Sequence, residues 1–360
     1  MRNYLTAGME FSRLVRLIRR NPVSCHPRYL LRILFLLQSS VWSDLFSWIE
    51  RKRYGKKIES TPVPDDPIFI IGHWRTGTTL LHQLLNLDPG LAAPTLFQVA
   101  EPNCFISSYP YYVPVFSALV AENRPMDNVK IGMNEPQEDE YAIYRMTDFS
   151  PIESLVFPKE KNYFILDHKT FLPENEKELK EWEQQLCSYF RKLSYFHGKT
   201  IVSKNPFNSM RIKELTALFP RARFIHIVRH PFEVIPSTIH MWKIVLEQNR
   251  LNRNAYIPEP EEVARGFNKL LSTIKRDRVF IPQGNYFEMR FEDLEADPVG
   301  EIRKIYSQFR MPFDEGLGSK MQAYMENLKN YQKNEYQLKD EEKELIRRQL
   351  FQHMQIYNYQ

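Results

Sequence analysis

Between residues 68 and 87 the chain holds a strand, a glycine loop and a helix in immediate succession. IFIIG (68–72) is an uninterrupted apolar run closed by Gly, the pattern of a strand buried on both faces in a parallel sheet. TTLLHQLLNL (78–87) has helical periodicity and stops at DPG. A strand covered on both sides that feeds directly into a helix restricts the chain to a parallel sheet wrapped by helices. Downstream units repeat the logic. KTIVSK (199–204), RFIHIV (223–228) and YFEMRF (286–291) read as strands. SMRIKELTALF (209–219) reads as an amphipathic helix stopped by Pro220, a helix follows RHP, and EDLEADPVGEIRKIYSQF reads as a loop and then a helix.

STPVPDDP (60–67) is a proline-rich, acidic break, and it separates an extension over 1–60 from a domain over 61–360. Within that domain the stretch from about 95 to 195 is rich in Pro, Tyr and Phe and weakly periodic, as an insertion that builds a substrate pocket would be. No internal repeat is found. Hydrophobic residues make up 43% and charged residues 26%, enough apolar matter for a large core and too much for disorder.

Charge is unevenly distributed. Residues 1–57 carry twelve Lys and Arg against three acids, a net of +9, whereas the remaining 303 carry 37 against 41, a net of −4. A slightly acidic body argues against a nucleic-acid partner. YLLRILFLLQSSVW (29–42) is too short and too interrupted for a membrane span and lies too far in for an export signal. Leu30, Ile33, Leu34, Leu37, Val41 and Trp42 follow helical spacing instead. Two readings of this basic amphipathic helix stand: it packs on the domain, or it attaches to an anionic membrane surface through residues 1–57. The three cysteines, Cys25, Cys104 and Cys187, form neither a disulfide framework nor a metal spacing, which fits a reducing, cytoplasmic location.

GHWRTGTT (72–79) joins the first strand to its helix. Backbone N–H groups of such a loop, with a helix N-terminus behind them, cradle an anion. Gly72 and Gly77 permit the tight backbone, and Thr78 and Thr79 add hydroxyl donors. A nucleoside triphosphatase needs Lys directly after the second Gly. Here Thr78 occupies that place, and the cation is Arg75, inside the loop.

This loop resembles the 5′-phosphosulfate-binding loop of sulfotransferases, in which Lys or Arg precedes Ser/Thr-Gly-Thr-Thr. RHPFEVIPS sets Arg229 and Ser237 eight residues apart and resembles the family's 3′-phosphate segment. VSKNPF resembles its Lys-bearing strand end, with Lys204 beside the transferring sulfonyl. RFEDLEADP (290–298) resembles a late family segment, its acids read as supporting the fold. NYQKNEY (330–336) offers Lys333 as a cation closing over the 3′-phosphate. The likeness spans roughly 66–340 and implies a P-loop-like three-layer α/β/α fold with a helical N-terminal extension. It further implies 3′-phosphoadenosine-5′-phosphosulfate (PAPS) as donor, the bisphosphate PAP as product, and no metal. Gly72, His73, Trp74, Arg75, Thr76, Gly77, Thr78, Thr79, Arg229, Ser237 and Lys333 would then bind the donor, with Arg75 and Lys204 also serving the chemistry. A forked guanidinium suits a sulfonyl donor because no β,γ-phosphates need a bridging ion.

Sulfonyl transfer needs a base on the acceptor hydroxyl. The small-molecule cytosolic branch supplies a His just after its Lys, but KNPF has none. Attention passes to carboxylates. NEPQEDEYAIYR (134–145) crowds acids around a helix start expected at Pro136 and resembles a Pro-x-Glu-Asp-Glu element of bacterial relatives. Glu138 leads, followed by Asp139 and Glu101, while Gln98 stands where other branches carry an acid. His240 is read as packing. FISSYPYYVPVFSALV (105–120) suggests an apolar mouth for a lipophilic alcohol such as a sterol or lipid. Two other classes stay open on sequence alone, a P-loop kinase and a non-catalytic PAP-binding module.

Overall fold

The computed structural model describes residues 5–21, 26–117, 132–158, 171–254, 256–328, 334 and 336–359. In chain order its helices and strands begin with α1 (Phe11–Arg20), α2 (Pro27–Ser60), β1 (Ile68–Ile71), α3 (Thr78–Leu85) and β2 (Leu91–Ala92). Five helices follow: α4 (Leu96–Ala100), α5 (Phe105–Ser117), α6 (Glu140–Met146), α7 (Glu153–Val156) and α8 (Glu176–His197). Next come β3 (Thr200–Lys204), α9 (Ile212–Leu218), β4 (Arg223–Val228), α10 (Pro231–Asn249), α11 (Pro260–Asp277) and β5 (Tyr286–Arg290). The chain ends with α12 (Phe291–Ala296), α13 (Pro298–Gln308), α14 (Glu315–Asn327) and α15 (Asp340–Ile356). These elements form two compact units, one of residues 1–63, 94–198 and 242–257, the other of 64–93, 199–241 and 258–360.

The second unit is the parallel α/β layer structure expected from the apolar runs. Its sheet has the order β2-β3-β1-β4-β5, and every neighbouring pair is parallel. Alternation along β1 serves two faces. Ile68 and Ile70 join Leu81 and Leu84 of α3, Ile302 and Ile305 of α13 and Met321 of α14 in one buried cluster. Phe69 meets the rings of Phe219 and Phe224, with centroids 5.7 and 5.3 Å away. A further cluster joins α10, α11 and α15 through Val234, Phe267 and Ile346. The register pairs Ile70 with Lys204 and Ile71 with His226, so β1, β3 and β4 end along one carboxyl edge. Chain direction changes side at β1, the place where open α/β sheets bind ligands.

Two local differences from the sequence reading have clear causes. Residues 206–210 form a 3-10 turn capped by the Asn205 side chain on the Phe207 N–H, which delays α9 to Ile212. YFEMRF leads into α12 without the expected loop, because the chain turns helical at Phe291.

The first unit is helical, and its organising element is the 34-residue helix α2. The side turned inward is mostly polar: Arg32, Ser40, Ser43, Ser47 and Glu50 are buried there beside Tyr29 and Leu36. Most of these polar groups meet a partner that suits them, Ser47 being the exception. Arg32 donates to the Arg250 carbonyl, Ser43 to the Glu101 carboxylate at 2.8 Å, and Glu50 accepts the Ser107 N–H at 2.8 Å and pairs with Lys192. Burial pulls the Lys192 ammonium below its ordinary pKa, opposed chiefly by the Glu50 charge. Helix α8 starts where Asn175 accepts the Lys177 N–H and stops at Gly198 with φ 61°. Helix α6 starts at Glu140 rather than Pro136. Pro136 bridges to Thr95, and the carbonyls of Met133 and Glu135 accept the N–H groups of Phe97 and Leu96 that α4 leaves without internal partners.

The buried pair Glu50–Lys192 yields a stability test. Lys192→Ala leaves a buried carboxylate alone and is expected to cost about 3 kcal/mol in urea unfolding. Lys192→Met combined with Glu50→Leu should recover most of that loss, and no recovery would show the pair is not the cause.

Candidate active site

The loop after β1 is held from both sides. Ser209 accepts the Gly72 N–H at 2.8 Å and donates to the Gly72 carbonyl at 3.1 Å, tying the strand end to the turn that follows β3. Gly72 has φ 147°, and a Cβ there would lie 2.6 Å from the Ile227 carbonyl oxygen. Gly77 has φ 91°, and its Cβ would lie 2.0 Å from the Phe291 ring. Both glycines are therefore required by contact as well as by conformation. The Thr76 hydroxyl donates to the His73 carbonyl at 2.8 Å and closes the turn. His73 is fully buried, its Nδ1–H donating to the Trp74 carbonyl at 2.9 Å and its ring lying 4.5 Å from that of Phe267. Burial lowers its pKa to about 4, so the imidazole is neutral at pH 7. Trp74 stands edge-on to Phe207 at 5.0 Å. Thr78 and Thr79 open α3, whose cap, Gly77, offers no side chain to the first N–H groups.

Arg75 alone among the loop's non-glycine residues has a left-handed backbone, with φ 70°. That conformation is costly for a residue with a Cβ and persists where the surroundings enforce it. The enforcement comes from β4 and α10. The Arg75 Nε–H donates to the Ser237 hydroxyl at 2.8 Å, and an Arg229 Nη1–H donates to the Arg75 carbonyl at 3.2 Å. The two segments that sequence reading places at opposite ends of one nucleotide are thus cross-tied. Arg229 lies over the Phe291 ring at 4.6 Å and reaches Glu233 at 3.5 Å. Burial lowers its pKa, Glu233 opposes that, and the Arg75 charge lowers it further. Two neighbouring guanidiniums make this corner a place that favours an anion.

Lys204 is a buried residue at the carboxyl end of β3, not a surface lysine. Its charge and, more strongly, burial lower the pKa of His82 to about 3, and the neutral His82 donates from Nε2 to the Val202 carbonyl at 3.2 Å. The three carboxylates belong to the other unit. Glu138 is half-buried, and Asp139 is fully buried before α6. Glu101 accepts from Ser43 at 2.8 Å and from the Cys104 thiol at 3.3 Å, and burial raises its pKa against those two bonds. Gln98 is a capping residue: its side chain accepts the Thr95 N–H at 3.0 Å, and it bonds His197. The His240 ring lies tilted against that of Tyr336, with centroids 5.7 Å apart, in keeping with packing. Lys333 lies outside the described residues. No group of His, Cys, Asp and Glu able to hold a metal is found among the described residues.

Comparison with known proteins bears on this arrangement directly. The family model described as the sulfotransferase family matches residues 67–315. The omega-hydroxy-beta-dihydromenaquinone-9 sulfotransferases Stf3 of Mycobacterium bovis and Mycobacterium tuberculosis are each 33% identical over 345 residues, covering 95% of this chain and 88% of theirs. The chain belongs to the sulfotransferase family. Solved sulfotransferases agree in fold. STF9 from Mycobacterium avium superposes with a TM-score of 0.70 at 17% identity over 96% of this chain and 90% of its own. STF1 from Mycobacterium tuberculosis does so with 0.57 at 18% identity over 94% and 89%.

For a sulfotransferase of this build, sequence reading missed one aromatic. Phe291 was passed over beside the acids of RFEDLEADP, yet it touches both halves of the corner, filling the space above Gly77 and lying under Arg229. An aromatic at the carboxyl end of the neighbouring strand was the available signal. Glu292 beside it accepts the His230 N–H and the Tyr359 hydroxyl, each at 3.0 Å, which fixes the backbone next to Arg229. Gly77→Ala is expected to cost about 1–3 kcal/mol through overpacking on Phe291 and the unfavourable φ. Adding Phe291→Ala should lower that penalty by relieving the clash. In a thermal-denaturation cycle, simple additivity of the two changes would count against the contact.

Proposed function

We propose that the chain transfers the sulfonyl group of PAPS to the hydroxyl of a lipophilic alcohol, in the cytoplasm and in peripheral contact with a membrane. The observation that carries the reading is the cross-tie of Arg75, Ser237 and Arg229, which brings two cationic strand-to-helix corners together. When bound, the donor supplies an activated sulfonyl and a bisphosphate leaving group. The first N–H groups of α3, the Thr78 and Thr79 hydroxyls and Arg75 suit the 5′ end of that nucleotide. Arg229 and the Ser237 hydroxyl suit its 3′-phosphate, and Lys333 is assigned to close over that phosphate. His73, Trp74 and Thr76 act by shaping the loop, as their buried contacts support. Lys204 is assigned to the charge that develops at the transferring sulfonyl.

Glu138 is our first assignment for the base that takes the acceptor proton, with Asp139 and Glu101 behind it. The acceptor class draws support from the name of the Stf3 relatives, whose substrate is a menaquinone derivative. It is supported also by α5, which exposes Tyr109 and Tyr111. Transfer is proposed to need no metal, because the two guanidiniums supply the positive charge.

Titration calorimetry with PAP in EDTA should give a dissociation constant near the micromolar range. Arg75→Ala and Arg229→Ala should each weaken it about tenfold to a hundredfold, the scale of a lost charge-assisted bond. Arg221→Ala, which removes only an exposed pair with Asp65, should leave it unchanged. Unaltered affinity in both the Arg75 and the Arg229 variant would overturn the assignment. With labelled PAPS and a panel of hydroxylated sterols, lipids, phenols and sugars, turnover is expected on the lipophilic members. Glu138→Gln should lower kcat about a hundredfold or more while PAP affinity holds. If Glu101→Gln alone abolishes turnover while PAP affinity and thermal stability hold, the base is Glu101, and the acid limb of the rate profile should lie above the ordinary carboxylate range because burial raises that group.

A further inference from the structure

Helix α2 is inside out. A surface helix ordinarily buries an apolar stripe and exposes a polar one. Here five of the seven buried positions among the described residues of the helix, 32, 40, 43, 47 and 50, carry Arg, Ser, Ser, Ser and Glu, with Tyr29 and Leu36 at the other two. The exposed positions carry Leu31 (69%), Leu34 (62%), Val41, Trp42, Leu45 and Trp48 (54%). The helix cannot roll to hide its leucines, because Ser43 is bonded to Glu101 and Glu50 to Ser107 and Lys192. Tyr111 of α5, 63% exposed, lies 5.6 Å from Phe46 and widens the apolar surface.

We propose that this outward stripe of α2 is a docking face for an anionic lipid bilayer, on which the helix lies flat. From Leu31 to Trp48 the stripe runs about 25 Å at 1.5 Å per residue. Among the described residues no helix is long and apolar enough to cross a membrane, so the contact is one of lying on the surface. Charge selects the partner. Arg51, Lys52, Arg53, Lys56 and Lys57 are exposed immediately beyond Trp48, and the Lys52 ammonium lies 5.5 Å over the Trp48 ring. Lysines placed so beside an apolar face reach lipid phosphates while their stems stay in contact with it. Glu10 meets Arg51 at 4.0 Å and buried Glu50 is paired with Lys192, so Lys52, Arg53, Lys56 and Lys57 outweigh the exposed Glu59 and leave the end of α2 beyond Trp48 net positive. A second copy of this chain presents no acidic counterpart on the same stripe. Anionic headgroups do.

This inference deepens the membrane contact proposed above and rests on that reading, not on the transfer chemistry. Co-sedimentation of the full chain with phosphatidylcholine–phosphatidylglycerol vesicles tests it, pure phosphatidylcholine serving as the contrast. The wild-type chain is expected to pellet with the anionic vesicles. Leu31→Ser with Leu34→Ser, and Trp42→Ser with Trp48→Ser, should each reduce partitioning about tenfold or more. Lys52→Glu with Arg53→Glu and Lys56→Glu should abolish the preference for anionic lipid. A wild-type chain that stays in solution with anionic vesicles would overturn the proposal. So would a dimer in sedimentation equilibrium that the leucine variants convert to monomer. PAP affinity measured on the same samples separates the two readings, since vesicle binding without PAP binding sinks only the donor assignment.

Discussion

Two guanidiniums are held side by side at the carboxyl edge of the sheet, and the rest of the donor corner is arranged around keeping them there. Like charges in a half-buried place repel, and the backbone of Arg75 is left-handed besides. Against both costs stand the Ser237 hydroxyl on the Arg75 Nε, the Arg75 carbonyl on Arg229 and the Phe291 ring beneath Arg229. The first two ties join the loop after β1 to the β4–α10 corner, and the third brings in the end of β5. Under the proposed function an anion bound there would relieve the repulsion, as in a preorganised site.

The helical unit follows a different logic. Its centre is a layer of polar groups in which Ser43, Glu101, Glu50 and Lys192 satisfy one another or nearby backbone. That layer fixes the rotation of α2, and the apolar residues of the helix are left facing outward as a consequence. A carboxyl group with a raised pKa, Glu101, is part of the same layer. Structure and candidate chemistry therefore meet in one set of side chains, and substitution there would disturb both.

Much of this was legible in the sequence. IFIIG announced a buried parallel strand because no polar residue interrupts it, KTIVSK and RFIHIV did so through their β-branched and aromatic residues despite Ser203 and His226, and the glycines of GHWRTGTT announced the loop. Resemblance of RHPFEVIPS to the family's 3′-phosphate segment brought Arg229 and Ser237 into consideration. Less legible were contacts between segments far apart in the chain. Phe291 carries no motif of its own, and its role depends on the neighbouring ends of β4 and β5. The apolar spacing of 29–42 revealed a helix but not its rotation, since that is set by partners such as Glu101 and Lys192. Pro136 looked like a helix start by local rule and instead serves as a bridge to Thr95.

The account rests on one nucleotide spanning both corners, and a crystal structure of the chain with PAP tests this most directly. The 5′-phosphate should lie on the 72–79 loop with Arg75 against it, and the 3′-phosphate on Arg229 and Ser237. A nucleotide bound with either phosphate away from its guanidinium, or bound at another place on the molecule, would contradict the account.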